Sequence, residues 1–179
     1  MIVSANKSQT VIAIDPGLNV LGFAIFELTP SSSELHYASY IKQETKGLPT
    51  VQRIQYVTNE LAKQLMERLS SLTFCDYFVI EEPQPFGAYK SLASQQSGSL
   101  VKLYLLTGAL IQWGLLADME VHSIPVSHYK GQLPKKVVQK RMEKKYETTF
   151  PVLDTSDAVF LGDWFCQRTL DTTKDESST

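Results

Sequence analysis

The chain has 179 residues, of which 43% are hydrophobic and 20% charged, a composition that excludes a disordered or fibrous protein and suits one compact domain. Its net charge of −2 excludes a domain that is basic throughout, the usual form of nucleic-acid-binding domains. The two cysteines, Cys75 and Cys166, lie far apart and form no CxxC pair, so buried thiols are expected rather than a zinc site.

The location of the protein is predicted from what the sequence lacks. It contains no uninterrupted run of roughly 18 apolar residues, the length that a membrane span needs. Met1–Gln9 lacks the apolar run of a signal peptide, so we expect a cytoplasmic protein without a membrane partner. Residues 1–170 are expected to form the single domain, and the polar segment 171–179 a disordered tail.

Three strands are predicted at the start of the chain. Thr10–Ile14 is a short apolar run rich in β-branched residues, and the Asp-Pro-Gly turn from Asp15 ends it. Val20–Leu28 is again apolar, and Glu34–Ile41 alternates as an exposed strand does. Because short turns join these strands, we expect an antiparallel meander.

Helices and strands alternate in the rest of the chain. The remaining predicted elements are a helix over Thr50–Ser70, a strand over Asp76–Glu81, a helix within Ser91–Leu116, a strand over Met119–Val126, and helices over Leu133–Tyr146 and Asp154–Thr169. The order β-β-β-α-β-α-β-α-α predicts an α/β domain in which helices cover a mixed sheet.

Four acidic residues stand at positions where a carboxylate needs an explanation. Asp15 and Glu81 each end an apolar strand, and Asp154 and Asp157 share one face of the last helix. A carboxylate beside a buried strand is costly unless it is solvated, paired or bound to a metal. Hard oxygen ligands from several elements suit Mg²⁺ or Mn²⁺.

Each acid also has an ordinary structural explanation. Asp15 fits a simple turn, and Glu81 fits a solvated strand end. Asp154 resembles a helix N-cap, with Asp157 in the first turn, where the helix dipole favours acids. The spacing of the four residues therefore leaves a metal site undecided.

Basic residues are concentrated in one segment, Lys130–Glu147. It contains two acids and seven basic residues, a charge of +5 that leaves −7 for the remainder of the chain: Lys130, Lys135, Lys136, Lys140, Arg141, Lys144 and Lys145. A locally basic helix can bind a phosphate backbone, although a solvated helix face explains the segment equally well.

Three motifs stand out along the chain: Val11–Phe26, Tyr77–Glu82 and Asp154–Ala158. Together they resemble the RuvC family of Holliday-junction resolvases, in the ribonuclease H-like superfamily. Val11–Phe26, VIAIDPGLNVLGFAIF, is similar to the first strand pair of that family. Tyr77–Glu82, YFVIEE, is similar to its strand that ends in Ile-Glu, and Asp154–Ala158, DTSDA, to its D-x-x-D-A helix start. The motifs occur in the family's order, and the resemblance covers roughly Thr10–Arg168.

The resemblance implies a ribonuclease H-like fold with a five-stranded mixed sheet in the order 3-2-1-4-5, flanked by helices. It implies that Asp15, Glu81, Asp154 and Asp157 are catalytic residues that bind two Mg²⁺ ions, for which Mn²⁺ substitutes, with Asp15 bridging the ions. It also implies a homodimer that makes paired nicks in a four-way DNA junction. The apolar helix Leu100–Leu116 is a candidate for part of the dimer interface.

The family places phosphate-contacting lysines where this chain has its basic segment, so Lys130, Lys135 and Lys136 are the predicted nucleic-acid contacts. Phe86 lies in a loop that contacts the junction centre in the resolvases, but its offset from Glu81 differs from theirs. Stacking of Phe86 on an unpaired base and plain loop packing are both open.

Two other functions remain possible at this stage. The same fold and chemistry could act on forks, flaps or structured RNA. Alternatively, the chain could be a catalytically silent module that binds branched DNA. The silent module predicts the loss of at least one ligand position, whereas all four acids are present.

Overall fold

The computed structural model describes residues 8–43, 47–69, 75–84 and 98–176. The strands are β1 (Gln9–Asp15), β2 (Val20–Leu28), β3 (Ser33–Lys42), β4 (Cys75–Glu82) and β5 (Glu120–Pro125). The helices are α1 (Thr50–Arg68), α2 (Ser99–Leu116), α3 (Val126–Tyr129), α4 (Lys135–Tyr146) and α5 (Leu153–Glu176). Within these residues the predicted order of elements is confirmed, with the one-turn helix α3 as an addition.

The five strands form one mixed sheet in the order β3-β2-β1-β4-β5, as the resemblance implied. The first three strands are antiparallel neighbours, and β4 lies parallel to both β1 and β5. In the register of β1 and β4, Ile14 pairs with Ile80. The residues that follow this pair, Asp15 and Glu81, are therefore at the same end of the sheet.

Each face of the sheet has its own hydrophobic core because successive strand residues point to opposite faces. Ile12 and Ile14 of β1 pack with α1 and α2 on one face. Val11 faces α4 and α5 on the other, together with Phe26 of β2. β1 is buried on both faces, which explains why its sequence is an unbroken apolar run. Cys75 and Cys166 are free and buried, as expected.

The final helix is longer than the sequence predicted. α5 continues to Glu176, past the start of the disordered tail predicted at Asp171. Leu170 is 6% exposed, so packing holds the helix up to the residue before that boundary. The polar residues that follow add helical turns although they have no apolar side chains to bury.

α2 is the one helix in the described ranges that is long and apolar enough to cross a membrane. One side of it packs in the core, where Leu106 and Leu110 are fully buried, although only 22% of its residues are buried. The same length and composition would suit the core helix of a protein outside the membrane, so the finding is weak evidence for a span. The prediction of a cytoplasmic protein remains a prediction.

Candidate metal centre

Three elements bring the predicted acids to one end of the sheet. Asp15 and Glu81 come from β1 and β4, and α5 places Asp154 and Asp157 over them. α5 begins at Leu153, so Asp154 lies in the first turn and is not the predicted N-cap. A spacing of three directs Asp154 and Asp157 to the same side of the helix.

A glycine fixes the height of α5 above the sheet. Gly22 of β2 pairs with Asp15 in the strand register. A Cβ atom added at Gly22 would lie 2.0 Å from the carbonyl oxygen of Asp154 and 2.7 Å from the amide nitrogen of Thr155. The helix start therefore contacts the strand backbone directly, which a residue with a side chain would prevent.

The carboxylates of Asp15, Asp154 and Asp157 form a group that could hold a metal ion, since one oxygen from each lies within 4.8 Å of the others. The Asp157 side chain is completely buried. In the part of the chain that the structure describes, no hydrogen bond reaches either of its carboxylate oxygens. Its Oδ1 atom also has no ion pair among the described residues, and a buried carboxylate oxygen left in that state is costly unless a metal binds it, so these residues fit a divalent metal.

Two lysines from the basic segment point into this group. Lys130 Nζ lies 2.6 Å from Asp157 Oδ2. Lys135 Nζ lies 3.0 Å from the same oxygen and 3.2 Å from Asp15 Oδ2, and it also contacts Asp154. The nitrogen–oxygen distances are short enough for ion pairs. At Asp157, however, the angles are not those of a hydrogen bond. The lysines thus offset part of the negative charge of the acids.

The electrostatics of the group follow from burial and from the crowding of like charges. Burial, and then the Glu81 carboxylate, raise the pKa of Asp15 well above its usual value. Burial likewise raises the pKa of Glu81, although a hydrogen bond from Tyr129 opposes that shift. Burial disfavours the charged form of Lys135, but the Asp15, Asp154 and Asp157 carboxylates outweigh it and raise the pKa of the ammonium.

Glu81 lies beside the group of three rather than within it. Its Oε2 atom accepts a hydrogen bond from the hydroxyl of Tyr129, the last residue of α3. Tyr129 could not be predicted as a partner of Glu81, because 48 residues separate the two and no motif spacing marks it. The only sequence feature beside Tyr129 is Lys130, a predicted nucleic-acid contact, which directly follows it.

The predicted nucleic-acid contacts differ in their exposure. Lys136 is exposed on α4, and the Lys135 side chain is 44% exposed at the rim of the acidic group. Lys130 is only 9% exposed and is paired with Asp157, which differs from its predicted role as a surface phosphate contact. Phe86 lies outside the described residues.

A cleft of about 400 Å³ opens beside the acids, on the side away from α4. Its lining includes Asp154, the turn of residues 16–20, and the side chains of Arg53 and Lys102. Arg53 holds the turn in place, since its Nη2 donates to the Leu18 carbonyl oxygen at 3.1 Å and to Asn19 Oδ1 at 2.8 Å. Among the described residues no carboxylate forms an ion pair with Lys102, so its charge is available to a ligand in the cleft.

Known structures share this fold. The chain is similar to RuvC of T. thermophilus in complex with a Holliday junction substrate, at 19% identity and a TM-score of 0.66, covering 90% of this chain and 96% of that one. It is similar to the yeast mitochondrial Holliday junction resolvase Ydc2, at 15% identity and a TM-score of 0.58, covering 93% and 82%. It is also similar to the fowlpox virus resolvase with Holliday junction DNA, at 15% identity and a TM-score of 0.55, covering 90% and 99%.

At these identities the likeness concerns the fold, and at that level the predicted resemblance is confirmed. No protein-family model matches the chain. No curated protein matches it in sequence either.

Proposed function

We propose that the protein is a metal-dependent endonuclease that cuts branched DNA, with the four-way Holliday junction as its substrate. The observation that carries the proposal is the group formed by Asp15, Asp154 and Asp157 at one end of the central strands. Support for the substrate comes from the fold, which is that of resolvases solved with junction DNA. An acidic group at this place on this fold favours a nuclease over a silent DNA-binding module.

Asp15, Glu81, Asp154 and Asp157 are the residues that would hold two Mg²⁺ ions, with Mn²⁺ as a substitute. When bound, such ions supply an activated water and neutralise charge on the leaving oxygen of a phosphodiester. The buried Asp157 carboxylate, free of hydrogen bonds within the described ranges, is suited to a direct metal bond. Lys130 keeps its pair with Asp157 inside the protein and so fixes that carboxylate.

The DNA strand would cross the acids from α4 to the cleft. Lys135 is at the edge of the acidic group and partly exposed, so its ammonium can contact the phosphate that is cut. Lys136 extends the basic surface along α4, and Lys102 offers a positive charge on the opposite side. Charges on both sides of a scissile phosphate hold the strand in register without reading its sequence.

Paired nicks require two active sites, and we propose that a homodimer supplies them. α2 exposes several large apolar side chains in the described chain: Val101, Tyr104, Leu105, Leu115 and Leu116. Exposed apolar residues on one helix are typical of a surface that another protein covers. Sedimentation of the full chain at micromolar concentration should give twice the monomer mass. Leu105→Glu should reduce the measured mass to that of the monomer.

The experiment that tests the function is cleavage of a synthetic mobile four-way junction with Mg²⁺ or Mn²⁺. We expect symmetric paired nicks by the wild type and none by Asp15→Asn, although the variant still binds the junction. Asp171→Asn makes the same chemical change at an exposed position of α5 and should cut normally. A fork, a flap and an RNA duplex are tested in parallel.

The outcomes separate the candidate functions. Cleavage of the fork, flap or RNA without cleavage of the junction would keep the nuclease chemistry and replace the substrate. Binding of the junction without cleavage of any substrate would instead support the silent module.

A further inference from the structure

Tyr129 connects a short helix after β5 to a metal-site carboxylate. It ends α3, and the residue is 8% exposed. Its hydroxyl donates a hydrogen bond to Oε2 of Glu81, which the strand register places opposite Ile124 of β5. The chain therefore leaves β5, makes one helical turn and returns a phenol to the neighbouring strand.

The ring of Tyr129 is fixed by the helix that carries two of the acids. Its centroid lies 5.8 Å from that of Phe160 and 6.3 Å from that of Trp164, both on α5. Aromatic contacts of this kind favour a particular orientation of the ring. The position of the hydroxyl is consequently tied to α5, which also positions Asp154 and Asp157.

Glu81 needs such a partner more than the three aspartates do. The aspartates have shorter side chains, and Lys130 and Lys135 form ion pairs with them. Within the described ranges no ion pair reaches Glu81, and a glutamate side chain has more rotamer freedom to lose than an aspartate. Without a donor, its carboxylate would have to be ordered at the moment a metal binds.

We propose that Tyr129 is a positioning residue that holds the Glu81 carboxylate ready to bind metal. The hydrogen bond uses one lone pair of Oε2 and leaves Oε1 without a hydrogen bond from Tyr129, so the carboxylate can still bind a cation. Donors that orient metal-ligating side chains in this way commonly contribute a factor of about 10 to 100 to metal affinity. The inference rests on the proposed function, because it assumes that Glu81 binds metal.

Mn²⁺ binding to the full-length protein without DNA tests the inference separately from cleavage. Tyr129→Phe keeps the ring and removes only the hydroxyl, and we expect its Mn²⁺ affinity in calorimetric titration to fall about 10- to 100-fold. Tyr146→Phe is the matched control. The Tyr146 hydroxyl donates to Asp163 Oδ1 at 2.6 Å, between α4 and α5 and outside the acidic group. This control should lose some thermal stability and keep its Mn²⁺ affinity.

A second pair of variants shows whether Tyr129 acts through Glu81. Glu81→Gln should weaken Mn²⁺ binding, and adding Tyr129→Phe to it should weaken binding no further, because the oriented carboxylate is already gone. Full additivity of the two changes would overturn the inference. An unchanged Mn²⁺ affinity in Glu81→Gln would also overturn the inference, whether or not Tyr129→Phe is less stable than the wild type.

The remaining outcomes distinguish the inference from the proposed function. Wild-type affinity in Tyr129→Phe would overturn the inference and leave the metal nuclease intact. Absence of Mn²⁺ binding by the wild type would overturn the proposed metal-dependent function, and the inference with it.

Discussion

Lys130 Nζ lies 2.6 Å from Asp157 Oδ2, and both side chains are almost completely removed from solvent. A charge buried this deeply is stable only with its partner present, because neither group can regain water. The pair also joins the residue after α3 to the N-terminal part of α5, one turn after Asp154. The pair therefore helps to hold the acidic group together even when no metal is bound.

Replacing Lys130 by methionine should destabilise the metal-free protein. Loss of one partner of a buried pair costs about 3 to 5 kcal/mol, and we expect about 3 kcal/mol because Lys135 still lies near Asp157. The measurement is urea unfolding in EDTA. Lys136→Met removes an exposed lysine of α4 and should change the free energy of unfolding by no more than about 0.5 kcal/mol. Equal effects of the two substitutions would contradict the structural role of the pair.

Asp15 should make the stability of the metal-free protein depend on pH. Burial and the Glu81 carboxylate raise its pKa in the folded state, whereas an unfolded aspartate has a pKa of about 3.9. Between about pH 4 and the raised value, the folded protein retains a proton that the unfolded chain has released. The contribution of Asp15 to stability therefore decreases as the pH rises through this window, and it is fully present below about pH 4.

Asp15→Asn removes this contribution and is the variant that tests it. In EDTA, its free energy of unfolding should exceed that of the wild type at pH 7 and should vary less between pH 4 and pH 7. Urea unfolding at several pH values measures both quantities. Parallel pH profiles for the two proteins would show that Asp15 does not titrate in this window.

The strands and the acids could be predicted because their signals are local. β1 has an unbroken apolar run since both of its faces are covered, and the turn at Asp15 ends it. The alternation of strands and helices then indicated a mixed sheet, and the parallel pairing of β1 and β4 places Asp15 beside Glu81. The order of the strands followed from the family resemblance rather than from these patterns.

The partners of the acids could not be predicted, because they depend on side-chain directions over long sequence separations. A count of charges groups Lys130 with Lys136, yet the first is buried on Asp157 and the second is exposed. Tyr129 contacts a residue 48 positions away, and nothing in either local sequence specifies that contact. The length of α5 was underestimated for a related reason, since polar composition alone does not end a helix that packing has already begun.

Gly22→Ala should displace the start of α5 and so damage the acidic group. The new Cβ would lie 2.0 Å from the Asp154 carbonyl oxygen, a backbone atom that cannot rotate away. Overpacking of this kind costs about 1 to 3 kcal/mol, and we also expect weaker Mn²⁺ binding because Asp154 moves with the helix. Thermal unfolding and metal titration measure the two effects.

Gly108→Ala provides the control for this substitution. A Cβ atom at Gly108, inside α2, would have no atom of the same chain within 4 Å apart from its own helix. Alanine there should stabilise the protein by about 0.5 to 1 kcal/mol through its higher helix propensity, with Mn²⁺ affinity unchanged. A Gly22 variant that binds Mn²⁺ as tightly as this control would show that the close approach does not position Asp154.

Lys102 should contribute to DNA binding from the cleft on the far side of the acids. It lines that cleft together with Asp154, and no described carboxylate neutralises it. Each phosphate contact adds about 0.9 to the slope of log affinity against log salt concentration, so Lys102→Gln should reduce the slope by about one. Junction binding in Ca²⁺ at several salt concentrations measures this slope.

Lys63→Gln makes the same change at an exposed position of α1, about three turns beyond Arg53, and should leave the slope unchanged. If both variants lower the slope equally, the effect comes from net charge and the strand does not pass through the cleft.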